Sequence, residues 1–133
     1  MTVIVVCGGR FYTDKQRVFE TLDKMYSNSI DTFVVVEGGS SYGADSFARQ
    51  WARRRKLKGE NVECITVKAN WKLYGKAAGP IRNQQMIDDY RPEKVLAFPG
   101  HKGTKDMIAR ARKAGIPVIL SEDWDDEVRA ALV

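Results

Sequence analysis

Five short apolar runs, separated by segments of helical periodicity, limit what this chain can fold into. They are Val3–Cys7, Phe33–Val36, Val62–Val67, Val95–Phe98 and Pro117–Leu120. The clearest of them are continuous rather than alternating, as expected of strands buried on both faces of a parallel sheet. The segments between them carry the apolar spacing of amphipathic helices: Val18, Phe19, Leu22 and Met25, then Phe47, Ala48, Trp51 and Ala52, then Met86, Ile87 and Tyr90, then Met107, Ile108 and Ala111. Thr13 to Gln16 fits a capping box, Gly59 and Gly115 fit helix stops, Pro80 fits a first helical position and Ser121 fits the cap of a last helix. The polar, aromatic segment 68–79 reads as a loop. Strands alternating with helices predict a Rossmann-like three-layer α/β/α sandwich, with a parallel sheet of about five strands joined by right-handed crossovers.

The 133 residues suit one domain, 1–133, with no linker, repeat or low-complexity segment. A composition of 44% hydrophobic and 29% charged residues is ordinary for a soluble globular chain, and no apolar run approaches a membrane span. Cys7 and Cys64 both fall in strand-like runs and read as reduced core thiols, which points to the cytoplasm. The net charge of +5 is concentrated in residues 49–58, RQWARRRKLK, whereas 121–127, SEDWDDE, is acidic. A basic run can meet nucleic acid, but it also reads as the solvated face of a helix with normal core spacing.

In an open parallel sheet, ligands bind beyond the carboxyl ends of the strands. Three loops leave those ends with glycine pairs or a Pro-Gly turn: GGR at 8–10, EGGSSYGAD at 37–45 and PGHKGT at 99–104. Glycine lets backbone amides approach a ligand, and a following helix N-terminus favours an anion. Glycines also serve ordinary turns, so each loop alone says little, whereas three at one sheet edge point to a phosphate-bearing ligand. No G-x-x-x-x-G-K-[ST] is present, and Gly38, Gly39 and Gly43 do not reproduce G-x-G-x-x-G. No cluster of His, Cys and Asp is spaced for a metal, and no motif calls for a cofactor.

Taken together, GGR after the first strand, GGSSYGAD after the second, GPIRNQQM opening a helix and PGHKGT after the fourth resemble the SLOG superfamily of Rossmann-like nucleotide-binding proteins. That superfamily includes the LOG phosphoribohydrolases and the DNA-processing protein DprA. The likeness spans nearly the whole chain and is strongest to small, stand-alone bacterial and phage members. It implies a nucleotide or nucleotide-sugar site, with Gly38, Gly39, Ser40, Gly43 and Asp45 lining one side. Gly100, Gly103 and Thr104 would hold a phosphate on the other side, and Arg82 stands where LOG-type enzymes place a functional arginine. The chain departs from the LOG pattern P-G-G-x-G-T-x-x-E at two positions: His101 replaces the second glycine and Met107 the glutamate. A thioether cannot act as an acid or base, so the resemblance implies the binding site rather than the LOG reaction. Related enzymes assemble, so a homo-oligomer is a further expectation from the resemblance.

The candidate ligand-binding residues are therefore Gly8, Gly9, Arg10, Gly38, Gly39, Ser40, Ser41, Gly43, Asp45, Arg82, Asn83, Pro99, Gly100, Lys102, Gly103 and Thr104. Trp71 and Tyr74 could stack on a base or pack over the sheet edge. Glu37 and Asp45 are the carboxylates nearest the expected cleft and the candidates for work on a glycosidic bond. Asp45 could instead bond a ribose hydroxyl or serve its own helix terminus. His101 is the single histidine and reads either as an acid–base group or as a surface turn residue. The leading functional expectation is a nucleotide- or ADP-ribose-binding sensor or module. The alternatives are a nucleotide N-glycoside hydrolase using a non-standard carboxylate and a single-stranded nucleic-acid binder.

Overall fold

The computed structural model describes residues 1–132. In chain order its elements are β1 (Thr2–Cys7), α1 (Lys15–Ser27), β2 (Phe33–Glu37), α2 (Ala44–Leu57), β3 (Val62–Thr66), α3 (Trp71–Tyr74), α4 (Ala78–Tyr90), β4 (Lys94–Ala97), α5 (Lys102–Lys113), β5 (Val118–Leu120) and α6 (Asp126–Leu132). The sheet has five strands in the order β3-β2-β1-β4-β5, and every neighbouring pair is parallel. The expected Rossmann-like sandwich is therefore the observed one.

The continuous apolar runs work as the two-sided core they suggested. Ile4 and Val6 of β1 face α1 and α2, where they meet Val18, Leu22, Ala48 and Trp51. Val5, between them, faces α4 and α5 and meets Met86, Ile87 and Met107. Trp124 closes the β4–β5 side, where its indole N–H donates to the Ala97 carbonyl at 2.7 Å. Cys7 and Cys64 are free thiols, and burial raises the pKa of both, that of Cys64 to about 11. Among the described residues no helix is long and apolar enough to cross a membrane.

Four local expectations are corrected. The α1 cap is Asp14, whose carboxylate accepts the Arg17 N–H at 3.0 Å, and Gln16 bonds Glu20 instead of closing a capping box from Thr13. Segment 68–79 is not a loop throughout: Asn70 caps the short helix α3, a 3₁₀ turn over Gly75–Ala77 follows, and α4 begins at Ala78, two residues before Pro80. The last helix is capped by Asp125, which accepts the Glu127 N–H at 3.0 Å, while Ser121 bonds Asp123 ahead of it. The basic run 49–58 is not a solvated face throughout, because Arg49 turns back beneath the β2–α2 loop.

Candidate functional site

The strand order places the topological switch between β1 and β4, since β1 feeds helices on one face and β4 feeds α5 on the other. The loops leaving β1, β2 and β4 meet there, backbone to backbone, around Gly9. Its N–H donates to the Pro99 carbonyl at 2.9 Å, and its own carbonyl accepts the N–H groups of Tyr12 and Ala44, each at 3.2 Å. No side chain fits between them. A Cβ on Gly43, whose φ is +77°, would lie 2.2 Å from the Gly9 carbonyl oxygen, and one on Gly100 would lie 2.1 Å from the Thr104 hydroxyl oxygen. The three glycine loops thus form one continuous edge, as their sequences suggested.

Two carboxylates stand behind this edge, in different situations. Glu37 is 0% exposed. Its Oε1 accepts the Gly39 N–H at 2.7 Å and the Arg49 guanidinium at 2.6 Å, and its Oε2 accepts the Thr66 hydroxyl. Arg49 also donates to the Ser40 carbonyl at 2.9 Å. Glu37 is therefore a buried strut that fixes the β2–α2 loop, a role that sequence reasoning missed together with Arg49. No sequence signal joins the two, because the pair depends on how α2 lies against β2.

Asp45, in the first turn of α2, is partly buried, and its Oδ2 accepts the Ser40 N–H at 3.3 Å. Burial raises its pKa to about 6; the Glu37 charge adds to the rise, and the Ser40 N–H, Arg82 and Arg49 oppose it. Its other oxygen has no hydrogen-bond partner among the described residues. Asp45 is thus the carboxylate with an uncommitted acceptor.

Arg82 reaches across from α4 to the same place. Its Nη1 donates to the Gly38 carbonyl at 2.7 Å, and its Nε to the Asn83 side-chain oxygen at 3.0 Å. A Cβ on Gly38 would lie 2.4 Å from that Nη1, so the glycine makes room for the guanidinium. Asn83, which is buried, donates to the Gly103 carbonyl at 3.2 Å and to Asp106 at 3.0 Å, and Asp106 also accepts Arg110 at 2.8 Å. Asp106 is therefore tied into the α4–α5 seam. Met107, at the LOG glutamate position, is 1% exposed inside the core cluster around Val5, Val34 and Val36.

The start of α5 is the part of this edge best suited to an anion. Side chains cap α1, α3 and α6, through Asp14, Asn70 and Asp125, whereas none caps α2, α4 or α5, and of these three α5 is the one entered from an exposed residue of a glycine loop, His101. Its first turn therefore keeps free amides at the positive end of the helix dipole. Thr104 is 5% exposed, and its hydroxyl, packed on Gly100, has no hydrogen-bond partner among the described residues. Lys102 and Gly103 are exposed beside it.

The remaining candidates lie further out. Arg10 is exposed, with its guanidinium 5.0 Å from the Phe11 ring centroid. Ser40 donates its hydroxyl to the Tyr42 carbonyl, and Ser41 is exposed. Trp71 and Tyr74 stand on α3 at the β3 end of the edge, with Trp71 leaning on the start of α4 near Gly79. Two cavities lie away from the glycine loops: one of about 190 Å³ between α2 and β3, and one of about 520 Å³ between α4 and α5. Among the described residues no group of three or more His, Cys, Asp or Glu is placed to hold a metal ion.

Comparison with known proteins agrees with this architecture. The Moco carrier protein of Chlamydomonas reinhardtii superposes over 98% of this chain and 82% of its own, with a TM-score of 0.63 at 16% identity, a likeness of fold. The Gene 61 protein of Mycobacterium phage D29 is 36% identical over 121 residues, which span 90% of this chain and 95% of the relative. A sequence model of the YspA, cpYpsA-related SLOG family matches residues 2–74, which carry the first two glycine loops and Asp45. With more than half of its residues matched, and a phage relative aligned nearly end to end, the chain belongs to the YspA, cpYpsA-related SLOG family.

Proposed function

We propose that this protein binds a nucleotide or nucleotide-sugar ligand, of the ADP-ribose kind, at the C-terminal edge of its sheet, and acts as a sensor or ligand-binding module. The observation that carries this reading is the start of α5, which no side chain caps, beside the Thr104 hydroxyl, which has no hydrogen-bond partner among the described residues. A phosphate there takes hydrogen bonds from the first-turn amides and from Thr104, with Lys102 supplying charge. Asp45 offers its free oxygen to a ribose hydroxyl, and Arg82 holds the Gly38 backbone against which the sugar rests. The exposed rings of Trp71 and Tyr74 are available to a base. Family membership and the fold shared with a carrier protein support small-molecule binding in general.

The test is isothermal titration and thermal shift against a panel of nucleotides, ADP-ribose and cyclic dinucleotides. A saturable ligand whose affinity falls at least tenfold in Thr104→Val and Lys102→Ala supports the site. A flat panel, or a ligand indifferent to both variants, rejects it.

One observation favours a second reading. Asp45 has a raised pKa and an uncommitted oxygen, which suits a general acid–base group in hydrolysis of an N-glycosidic bond. In that reading Asp45 acts and Glu37, fully engaged, does not. Base release from the same panel, abolished in Asp45→Asn, separates an enzyme from a binder. Single-stranded nucleic acid is less favoured, because Arg49, Arg55 and Lys56 of the basic helix are already engaged with Glu37, Asp23, Glu60 and Glu63.

A further inference from the structure

Among the described residues, the exposed aromatic side chains are Phe11, Tyr42, Trp71 and Tyr74, and all of them stand beyond the carboxyl ends of strands. Trp71 and Tyr74 follow β3, on α3, and lead into α4 on the face of the sheet that α5 shares. Phe11 and Tyr42 follow β1 and β2, in the glycine loops that lead to α1 and α2 on the opposite face. The first pair has a base to meet in the nucleotide reading, whereas the second has no role in it. Phe11 is 77% exposed and Tyr42 74%, so neither ring owes its place to the core.

The backbone contacts that close the glycine edge bring these two rings beside the phosphate position. A Cβ on Gly43, next to Tyr42, would lie 2.5 Å from the Arg10 Cα, and one on Gly9 would lie 3.3 Å from the Gly100 Cα. The Gly9–Arg10 backbone therefore runs between Tyr42 on one side and the loop that opens α5 on the other. Phe11 is the next residue along it, and the Arg10 guanidinium stands 5.0 Å from the centroid of its ring. Arg10 has no ion-pair partner among the described residues. A guanidinium in that place backs one face of the ring and keeps its charge for a phosphate.

Resting on the phosphate position at the α5 start, we propose that Phe11, Tyr42 and Arg10 form a second stacking subsite. The ligand is then a dinucleotide, two nucleosides joined through a diphosphate. The diphosphate lies at the start of α5 with Arg10 beside it. One base meets Trp71 and Tyr74 on the α4 face, and the other meets Phe11 and Tyr42 on the side of α1 and α2. Stacking on an aromatic ring accepts any base, because every base has a π-face. The subsite therefore reads the presence of a second base rather than its identity, and separates a dinucleotide from a mononucleotide or a nucleotide sugar.

ADP-ribose and diadenosine diphosphate are the probes, because they share adenosine, the diphosphate and a second ribose and differ by the second adenine. In isothermal titration of the full chain, diadenosine diphosphate should bind about tenfold more tightly than ADP-ribose. Phe11→Ala and Tyr42→Ala should each reduce that gain, and the double variant should abolish it while ADP-ribose affinity stays unchanged. Tyr42→Phe, which keeps the ring, should keep the gain. Both positions are exposed, so the variants should match the wild type in circular dichroism and Tm. Diadenosine diphosphate binding no more tightly than ADP-ribose overturns the second subsite and leaves the nucleotide reading standing. A gain that survives the double variant does the same. Binding of neither compound overturns both.

Discussion

Replacing Asp45 by asparagine should make the protein more stable at neutral pH while weakening its site. In the folded chain the pKa of Asp45 rises from 3.8 to about 6, because burial and the neighbouring Glu37 disfavour its charge. A carboxyl that is more basic when folded keeps a proton that the unfolded chain has released, between roughly pH 4 and pH 6. Stability therefore falls as pH rises through that window, by 1.36 kcal/mol per unit, and stays lowered above it. A rise of about two units makes the ionised Asp45 a liability of about 3 kcal/mol at pH 7.5. For a chain of this size that is about 10 °C in Tm. Asparagine keeps the oxygen that accepts the Ser40 N–H and loses the charge. Urea denaturation of wild type and Asp45→Asn at pH 4 and pH 7.5 should show a gap that opens by about 2.5 kcal/mol in favour of the variant at the higher pH, since the unfolded carboxyl is already partly ionised at pH 4. Titrating groups remote from Asp45 cancel in the difference. The same gap at both pH values, or one that closes as pH rises, would refute the reasoning. Loss of ligand binding in this stabilised variant would identify the strained carboxylate as one kept for function.

Arg49→Met should cost roughly 3 kcal/mol in urea denaturation, because it strands the buried Glu37 carboxylate. Adding Glu37→Gln should recover part of that loss, which a simple packing defect would not allow. Met107→Glu, which restores the LOG acid, should melt tens of degrees lower or fail to fold, since it puts a carboxylate among Val5, Val34 and Val36. A folded Met107→Glu protein that releases base from nucleotides would overturn this placement. Gly103→Ala should raise stability by about 0.5–1 kcal/mol, read as a thermal shift, and lower phosphate affinity, because a Cβ there meets no protein atom within 4 Å.

The sheet was legible because a strand buried on both faces must be apolar along its length, and Val3–Cys7 and Phe33–Val36 are. Helix positions followed from their inward stripes, but their ends did not. Asp14 and Asp125 outcompete Thr13 and Ser121 as caps, because the entry angle of each chain segment decides which oxygen reaches the first-turn amides. The short helix at Trp71 was hidden for a different reason: with no buried residue, it has no inward stripe to read. At the site, the glycine loops and Arg82 were legible as a pattern in the sequence. Arg49 and the Asn83–Asp106–Arg110 seam were not, since each is a contact between separate elements and only packing brings its members together.

The structure also redistributes the weight that the glycines carry. Gly9, Gly43 and Gly100 are required by the contact of three loops with one another, and Gly38 by the guanidinium of Arg82. Their presence would be explained if the edge bound nothing. Gly103 has no such reason. It lies in the first turn of a twelve-residue helix, its backbone is open to any residue, and no neighbouring element comes within 4 Å of where its Cβ would be. There a glycine costs about 1 kcal/mol relative to alanine and returns nothing in packing. A residue that destabilises its own helix, beside uncapped amides and the Thr104 hydroxyl, makes sense when the missing volume is taken by a ligand. The case for a phosphate therefore rests less on the number of glycines than on this one, which the fold does not need.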